Sequence, residues 1–342
     1  MSAGDVNVAG TIGQQGPRPR ASDRLTGVIV TYKSSRTLPA ALASARRCHE
    51  KADFHLVVVD NATPAPDPTR EILAREAGFG QVMLGNQNIG FGRGCNVGLR
   101  ATTTDYVVFF NPDAEMEPQA VRTIIDFLDA HPQCAIAGPA IVHGEDDPSQ
   151  QHVQDVGALA TPWDLMGDAM GLYRSLKGRQ RVIRGSEAFQ TQWVSGAMLI
   201  GRTKVLKALG GFDPRFFLYW EETDLCKRAI DAGHQIWSIP SAVVRHVGGT
   251  SAAEVAQEGK DRFKGCIAKH YYESRQYYLR KHFGLVPALL TDTVEVLATP
   301  AVQGLRKIVG KHAQPVWRRW AHPVWAMPRL VKETVESRAG AV

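Results

Sequence analysis

Hydrophobic positions along the first third of the chain fall into two rhythms. Short segments rich in apolar residues at 25–31, 55–60, 81–84 and 106–110 alternate with stretches whose apolar residues recur every three or four positions. Short continuous runs with polar ends predict strands buried on both faces, as in a parallel sheet. The intervening rhythm predicts helices at 38–50, where Leu38, Ala41, Leu42 and Ala45 share a face, at 69–77, and near 96–101. Strand–helix alternation with short connections predicts a doubly wound α/β fold, with a mostly parallel central sheet flanked by helices.

Beyond Asp113 the pattern loosens. A helix is predicted at 119–130, with Val121, Ile124, Ile125 and Leu128 inward, followed by short strands at 134–137 and 140–142. Residues 144–190 have few periodic apolar positions and read as a long functional excursion. A strand at 193–200, helices at 203–209 and 222–232, and strands at 236–239 and 242–246 follow. A long helix at 260–283 and a weakly helical remainder close the chain. Residues 1–24, rich in Gly, Pro, Gln, Arg, Ser and Ala, read as a disordered leader.

The parallel strands end in polar residues: Thr31 and Tyr32, Asp60 and Asn61, Asn111 and Asp113. In open α/β sheets ligands bind at that edge. Pro112 ends its strand, and a carboxylate two residues from an amide suits a hard divalent cation holding a diphosphate. Asp60 suits a nucleobase or ribose. The glycine-rich segment 88–94, with Asn88, Gly90 and Arg93, suits backbone approach to a ligand, with Arg93 toward phosphate. No GxGxxG follows the first strand and no GxxxxGK[ST] occurs, so neither a dinucleotide fingerprint nor a P-loop is present. Glu221, Glu222 and Asp224 open a helix after the aromatic-rich run 216–220. Acids beside apolar groups and one another have raised pKa values, which suits a general base. Their alternative is a helix start facing its dipole. His246, at a strand end, completes a mixed His/carboxylate set with Asp113, or is structural.

The 342 residues allow one large domain or two smaller ones. Five scattered cysteines without CxxC spacing argue against a disulfide framework or structural zinc and favour a reducing compartment. No unbroken run of 18 apolar residues and no signal sequence are found, so no spanning helix is expected. Charge is uneven. From Lys260 to Val342 there are 15 Lys and Arg against 6 Asp and Glu, whereas the remainder has 25 against 28. A basic tail on a near-neutral body suggests an anionic partner.

Taken in order, these pieces resemble family 2 glycosyltransferases, and within them the bacterial rhamnosyltransferase branch acting on polyprenyl-diphosphate-linked sugars. The matching segments are 28–32, 57–61, 86–92 with Asn96 and Gly98, 110–113, 194–197, 216–228 and 246–251. The resemblance covers roughly residues 25–284. It implies a GT-A type fold, a nucleotide-diphospho-sugar donor, a divalent metal (Mn or Mg) and inversion at the anomeric carbon. Carried over, Thr31, Tyr32, Asp60 and Asn61 hold the nucleoside, and Asn88, Gly90 and Arg93 border ribose and diphosphate. Asn111 and Asp113 stand where the family has Asp-x-Asp, with His246 the further metal ligand. Glu222 fills the base position, with Glu221 and Asp224 its rivals. Ser195, Gly196, Tyr219 and Trp220 border the acceptor.

The implied domains are a leader at 1–24, a catalytic domain at 25–256 divided at 115/116, and a basic helical extension at 257–342. Trp317, Arg318, Arg319 and Trp325 suggest either contact with an anionic membrane or helices packing back on the catalytic domain, and the expected location is the cytoplasm or the inner face of the cell membrane. The implied reaction takes L-rhamnose from dTDP-rhamnose to a lipid-linked saccharide of the cell envelope. A nucleotidyltransferase would need a basic, glycine-rich loop after the first strand, and residues 31–36 lack glycine. A nucleic-acid-binding module would need a basic main domain, and this one is slightly acidic.

Overall fold

In the computed structural model, described for residues 13–143, 152–153, 156–170, 172, 182–183, 187–246 and 262–308, three apolar runs form strands buried at every position. They are β2 (Leu25–Thr31), β3 (Phe54–Asp60) and β5 (Tyr106–Phe110). Around them lie β1 (Gly13–Gln15), α1 (Leu38–Lys51), α2 (Thr69–Glu76), β4 (Gln81–Leu84) and α3 (Phe91–Ala101). Then come β6 (Ala114–Met116), α4 (Pro118–Ala130), β7 (Cys134–His143), β8 (His152–Val153), β9 (Val156–Gly157) and α5 (Pro162–Ala169). The chain continues with β10 (Val182–Ile183), β11 (Phe189–Thr191), β12 (Trp193–Val194), β13 (Met198–Arg202), α6 (Thr203–Ala208), α7 (Glu221–Asp231) and β14 (Gln235–His246). Two long helices, α8 (Arg262–Phe283) and α9 (Leu285–Ile308), follow.

The main sheet runs β1-β4-β3-β2-β5-β13-β7-β14-β11, with β6 also on β14. Strands β4, β3, β2 and β5 are parallel. The chain steps outward from β2 through β3 to β4, then returns to β5 on the other side of β2. That reversal opens a crevice at the carboxyl ends of β2 and β5. Strand β13 inserts antiparallel between β5 and β7. The two strand pairs expected at 134–142 and 236–246 are single long strands. β14 passes its Pro240 through a register shift between Ile239 and Val243, so a residue that cannot donate to the ladder sits in a bulge instead of ending the strand.

Helix α3 lies close on the sheet because Gly94 and Gly98 face Val30 and Val28. A Cβ at either position would meet those side chains at 2.7 and 2.3 Å. The glycine-rich segment thus serves helix–sheet contact. The expected leader is ordered in its described part. β1 pairs antiparallel with the otherwise open edge of β4, and Arg20 bonds Asp23 and the carbonyls of His49 and Ala52. Cys48, Cys95, Cys134 and Cys226 are buried.

Two compact units are present. One comprises Met1–Ala158, Gln180–Phe217 and Glu222–Ser251, and holds the sheet. The other comprises Leu159–Arg179, Leu218–Glu221 and Ala252–Val342. Within this second unit α5 packs on α9. In that unit Arg275 of α8, almost fully buried, pairs with Asp292 (2.8 Å) and Glu295 of α9. Contrary to expectation, α9 contains a stretch, Leu285–Val302, long and apolar enough to cross a membrane. Its mean hydropathy is 1.4, and 18% of it is buried. Asp292 and Glu295 interrupt the apolar run, which is why a count of consecutive apolar residues missed it. The tail aromatics Trp317 and Trp325 with Arg318 and Arg319, and Gly248 to Ser251, lie outside the described residues.

Candidate active site

Sheet pairing builds one corner of the site. β6 runs antiparallel to β14, with His246 opposite Ala114, so the residue before β6 arrives beside the imidazole. Asp113 Oδ1 lies 3.0 Å from His246 Nε2, and both side chains are nearly buried. The amide nitrogen of Asn111 is 3.4 Å from the same ring nitrogen. A carboxylate and an imidazole in contact, with an amide side chain beside them, are residue types that can ligate a divalent cation, the amide through its oxygen. Among the described residues no group of three or more His, Cys, Asp and Glu that could hold a metal is gathered.

The same corner leads to Glu222. The β5–β13 ladder places Phe110 opposite Met198, and Asn111 N–H continues it by donating to the Ala197 carbonyl at 3.1 Å. Ser195 Oγ accepts from Ala197 N–H, and the neighbouring Gly196 faces Glu222. A Cβ on Gly196 would lie 3.5 Å from the Glu222 carboxyl carbon. Burial raises the Glu222 pKa to about 6. The N–H groups of Glu222 and Thr223 at the start of α7, and the nearby Trp193 indole, limit the rise. The indole Nε1 has no partner at full hydrogen-bond geometry, so its effect here is electrostatic. Half-buried Glu222 is thus protonated or ionised near neutral pH according to small changes around it.

Its two rivals are placed differently. Asp224 is fully buried and accepts from Arg228 Nε at 2.7 Å, while Arg228 caps the carbonyls of Leu209 and Gly211. That is a structural clamp. Glu221 belongs to the helical unit and is 4% exposed. Tyr219 and Trp220 also belong to that unit. Both adopt left-handed backbone, at φ 70° and 69°, a strained conformation for aromatic residues. Their rings meet Tyr271, and Trp220 also meets Tyr278.

On the β2–β3 side, Thr31 and Asp60 stand in register at the strand ends. Asp60 is fully buried. Its Oδ1 accepts from the hydroxyls of Thr31 and Thr63, and its Oδ2 from Thr63 N–H and Arg70 Nε. A carboxylate offers about four acceptor directions, so these donors leave none for a ligand. Asp60 organises this edge. Lys33 and Ala62, just past β2 and β3, are left-handed at φ 51° and 59°, and Tyr32, the residue before Lys33, is half-buried.

Asn61 ties down the following loop. Its amide donates to Asn88 Oδ1 and the Gly90 carbonyl and accepts from Ile89 N–H, while Asn88 accepts from Gly90 N–H. Arg93, expected toward phosphate, donates its Nε to the Pro214 carbonyl. Asn96, in α3, belongs to a segment matched by the resemblance. It bonds both the N–H and the C=O of Phe212, a two-way clamp that only long-range pairing reveals.

The α/β sheet thus gathers polar residues at one carboxyl edge, with an acid of raised pKa and a carboxylate–imidazole pair in the same unit. The chain belongs to glycosyl transferase family 2, which residues 26–210 match. It is a glycosyltransferase-like α/β protein of the GT-A fold. It is 27% identical over 243 residues to an N-acetylglucosaminyl-diphospho-decaprenol L-rhamnosyltransferase of Mycobacterium tuberculosis, covering 66% of this chain and 76% of that one. It is 21% identical over 274 residues to the dTDP-rhamnosyl transferase RfbF of Shigella flexneri, covering 79% and 84%. Among solved structures it resembles Staphylococcus aureus TarS with a TM-score of 0.48 and 16% identity, covering 79% of this chain and 42% of that longer one.

Proposed function

We propose that this protein is an inverting, metal-dependent glycosyltransferase that moves a sugar from a nucleotide diphosphate to an acceptor hydroxyl. The observation that carries the reading is the approach of Asp113 and His246 to 3.0 Å at the carboxyl edge of the parallel strands, in the same unit as Glu222. Glu222 takes the proton of the acceptor hydroxyl as the acceptor oxygen bonds to the anomeric carbon. The bond from that carbon to the diphosphate oxygen breaks on the opposite face. Asp113, His246 and Asn111 are the residues that would hold a divalent cation. When bound, Mn or Mg neutralises the charge gathering on the departing diphosphate.

Thr31, Tyr32, Asn61, Asn88 and Gly90 border the nucleoside and diphosphate, and Asp60 holds that edge in shape through Thr31, Thr63 and Arg70. Glu222 is favoured as base over Asp224 because Asp224 is committed to Arg228, and over Glu221 because Glu221 is buried whereas Glu222 is partly exposed and has a raised pKa. The relatives' names support dTDP-rhamnose as donor and a polyprenyl-diphosphate-linked saccharide as acceptor. That acceptor would place the enzyme at the cytoplasmic face of the cell membrane, in envelope polysaccharide synthesis.

The test is slow donor hydrolysis. The protein is incubated with Mn and a panel of dTDP-, UDP- and GDP-sugars, and the released sugar is followed by NMR. Selective hydrolysis of dTDP-rhamnose with inverted configuration at first appearance supports the reading. Hydrolysis of a UDP- or GDP-sugar alone replaces the donor, and retained configuration overturns the inverting mechanism.

A further inference from the structure

Helix α9 is amphipathic in the inverse sense for a helix with one face packed inward. The side it buries in its own unit carries Ala288, Thr291 and Asp292, with Asp292 and Glu295 reaching Arg275. The side it leaves open carries Val286, Leu290, Leu297, Leu305 and Ile308, exposed by 50% to 82%. At 100° per residue these five positions fall within a stripe about 100° wide. Leu285 and, on α5 of the same unit, Trp163 are also exposed, the latter by 72%. Single exposed leucines are ordinary, but a continuous stripe of this length marks a surface that meets an apolar phase.

Charge decides what that phase is. The last turn of α8 carries Arg280, Lys281 and His282 just before the stripe begins, and Arg306 and Lys307 lie in the sequence at its far end. The whole stretch from Lys260 to Val342 holds 15 Lys and Arg against 6 Asp and Glu. Exposed leucines on α9, with cations next to them in the sequence at both ends, match the boundary of an anionic bilayer, with acyl chains for the stripe and phosphates for the cations. A spanning arrangement fits less well, because it would carry the Arg275–Asp292–Glu295 network into the hydrocarbon. We infer that the exposed apolar face of α9 is a lipid-docking surface that seats the helical unit in the interface of an anionic membrane. This surface is separate from the donor residues and does not depend on which sugar is transferred.

The test uses the full-length protein and vesicles of phosphatidylglycerol and phosphatidylcholine, with phosphatidylcholine alone as the comparison. Wild-type protein is expected to float with the anionic vesicles at low salt and to be partly released by high salt. The double variant Leu290→Glu/Leu297→Glu changes only exposed positions and is expected to lose about tenfold or more of the vesicle-bound fraction. Its circular dichroism and its solution donor hydrolysis should stay unchanged, which separates this outcome from failure of the transferase reading. Unchanged flotation of the variant overturns the inference. So does a wild-type dimer that the variant converts to monomer without loss of lipid binding, since the face would then join two copies of this chain.

Discussion

Asp113 and His246 are brought to 3.0 Å by a three-residue strand, β6, whose Ala114 pairs with His246 itself. Neither residue depends on a mobile side-chain search to find the other, because the ladder fixes both backbones. In the proposed mechanism the pair holds the cation. Asp113→Ala and His246→Ala are each expected to lower transfer by about 100-fold or more at fixed Mn. Titrating Mn against the nucleotide-induced rise in melting temperature checks the cause. The variants should lose the Mn-dependent part of the rise and keep a residual effect of nucleotide alone.

Glu222 gives the pH dependence. Its pKa, raised to about 6 by burial, means the base is ionised above that value and protonated below it. Turnover should therefore climb with pH through about 6 and level off above. Glu222→Gln should lose about 100-fold or more in kcat and flatten that limb, while its donor-binding melting shift stays near wild type.

Gly90 has φ +86°, and a Cβ there would lie 2.4 Å from the Phe217 carbonyl oxygen, which accepts from Phe91 N–H. Gly90→Ala combines a disfavoured backbone with a clash against backbone, which cannot rotate away. A loss on the order of 2 kcal/mol or more is expected from urea unfolding midpoints.

His55 is a buried strand residue with neither ring nitrogen hydrogen-bonded, and burial lowers its pKa from 6.5 to about 4. The unfolded chain binds a proton first, so stability is full above about 6.5 and falls as pH drops toward 4. Below that the contribution is flat. His55→Leu should remove this part of the pH dependence in chemical denaturation between pH 4 and 7.

The strand cores were legible because β2, β3 and β5 are buried on both faces and so carry short segments rich in apolar residues that local reading detects. Their polar ends followed directly, which is why Thr31, Asp60, Asn111 and Asp113 stood out. Partners contributed from distant sequence were not legible. That Asp60 is saturated by Thr31, Thr63 and Arg70, and that Arg93 turns to Pro214, depends on contacts no spacing encodes. Nor does spacing encode that Gly94 and Gly98 make room for valines of β2. Helix α9 escaped an apolar-run criterion because its acids point to Arg275, so its inward side is the polar one.

The measurement that bears most directly on the whole account is transfer from a nucleotide sugar by wild type and Glu222→Gln in parallel, with the anomeric configuration of the product read by NMR. An inverted product from wild type, together with a variant that binds donor but scarcely turns over, is the predicted result. Wild-type rates from the variant, or a product that keeps the donor's configuration, would contradict it.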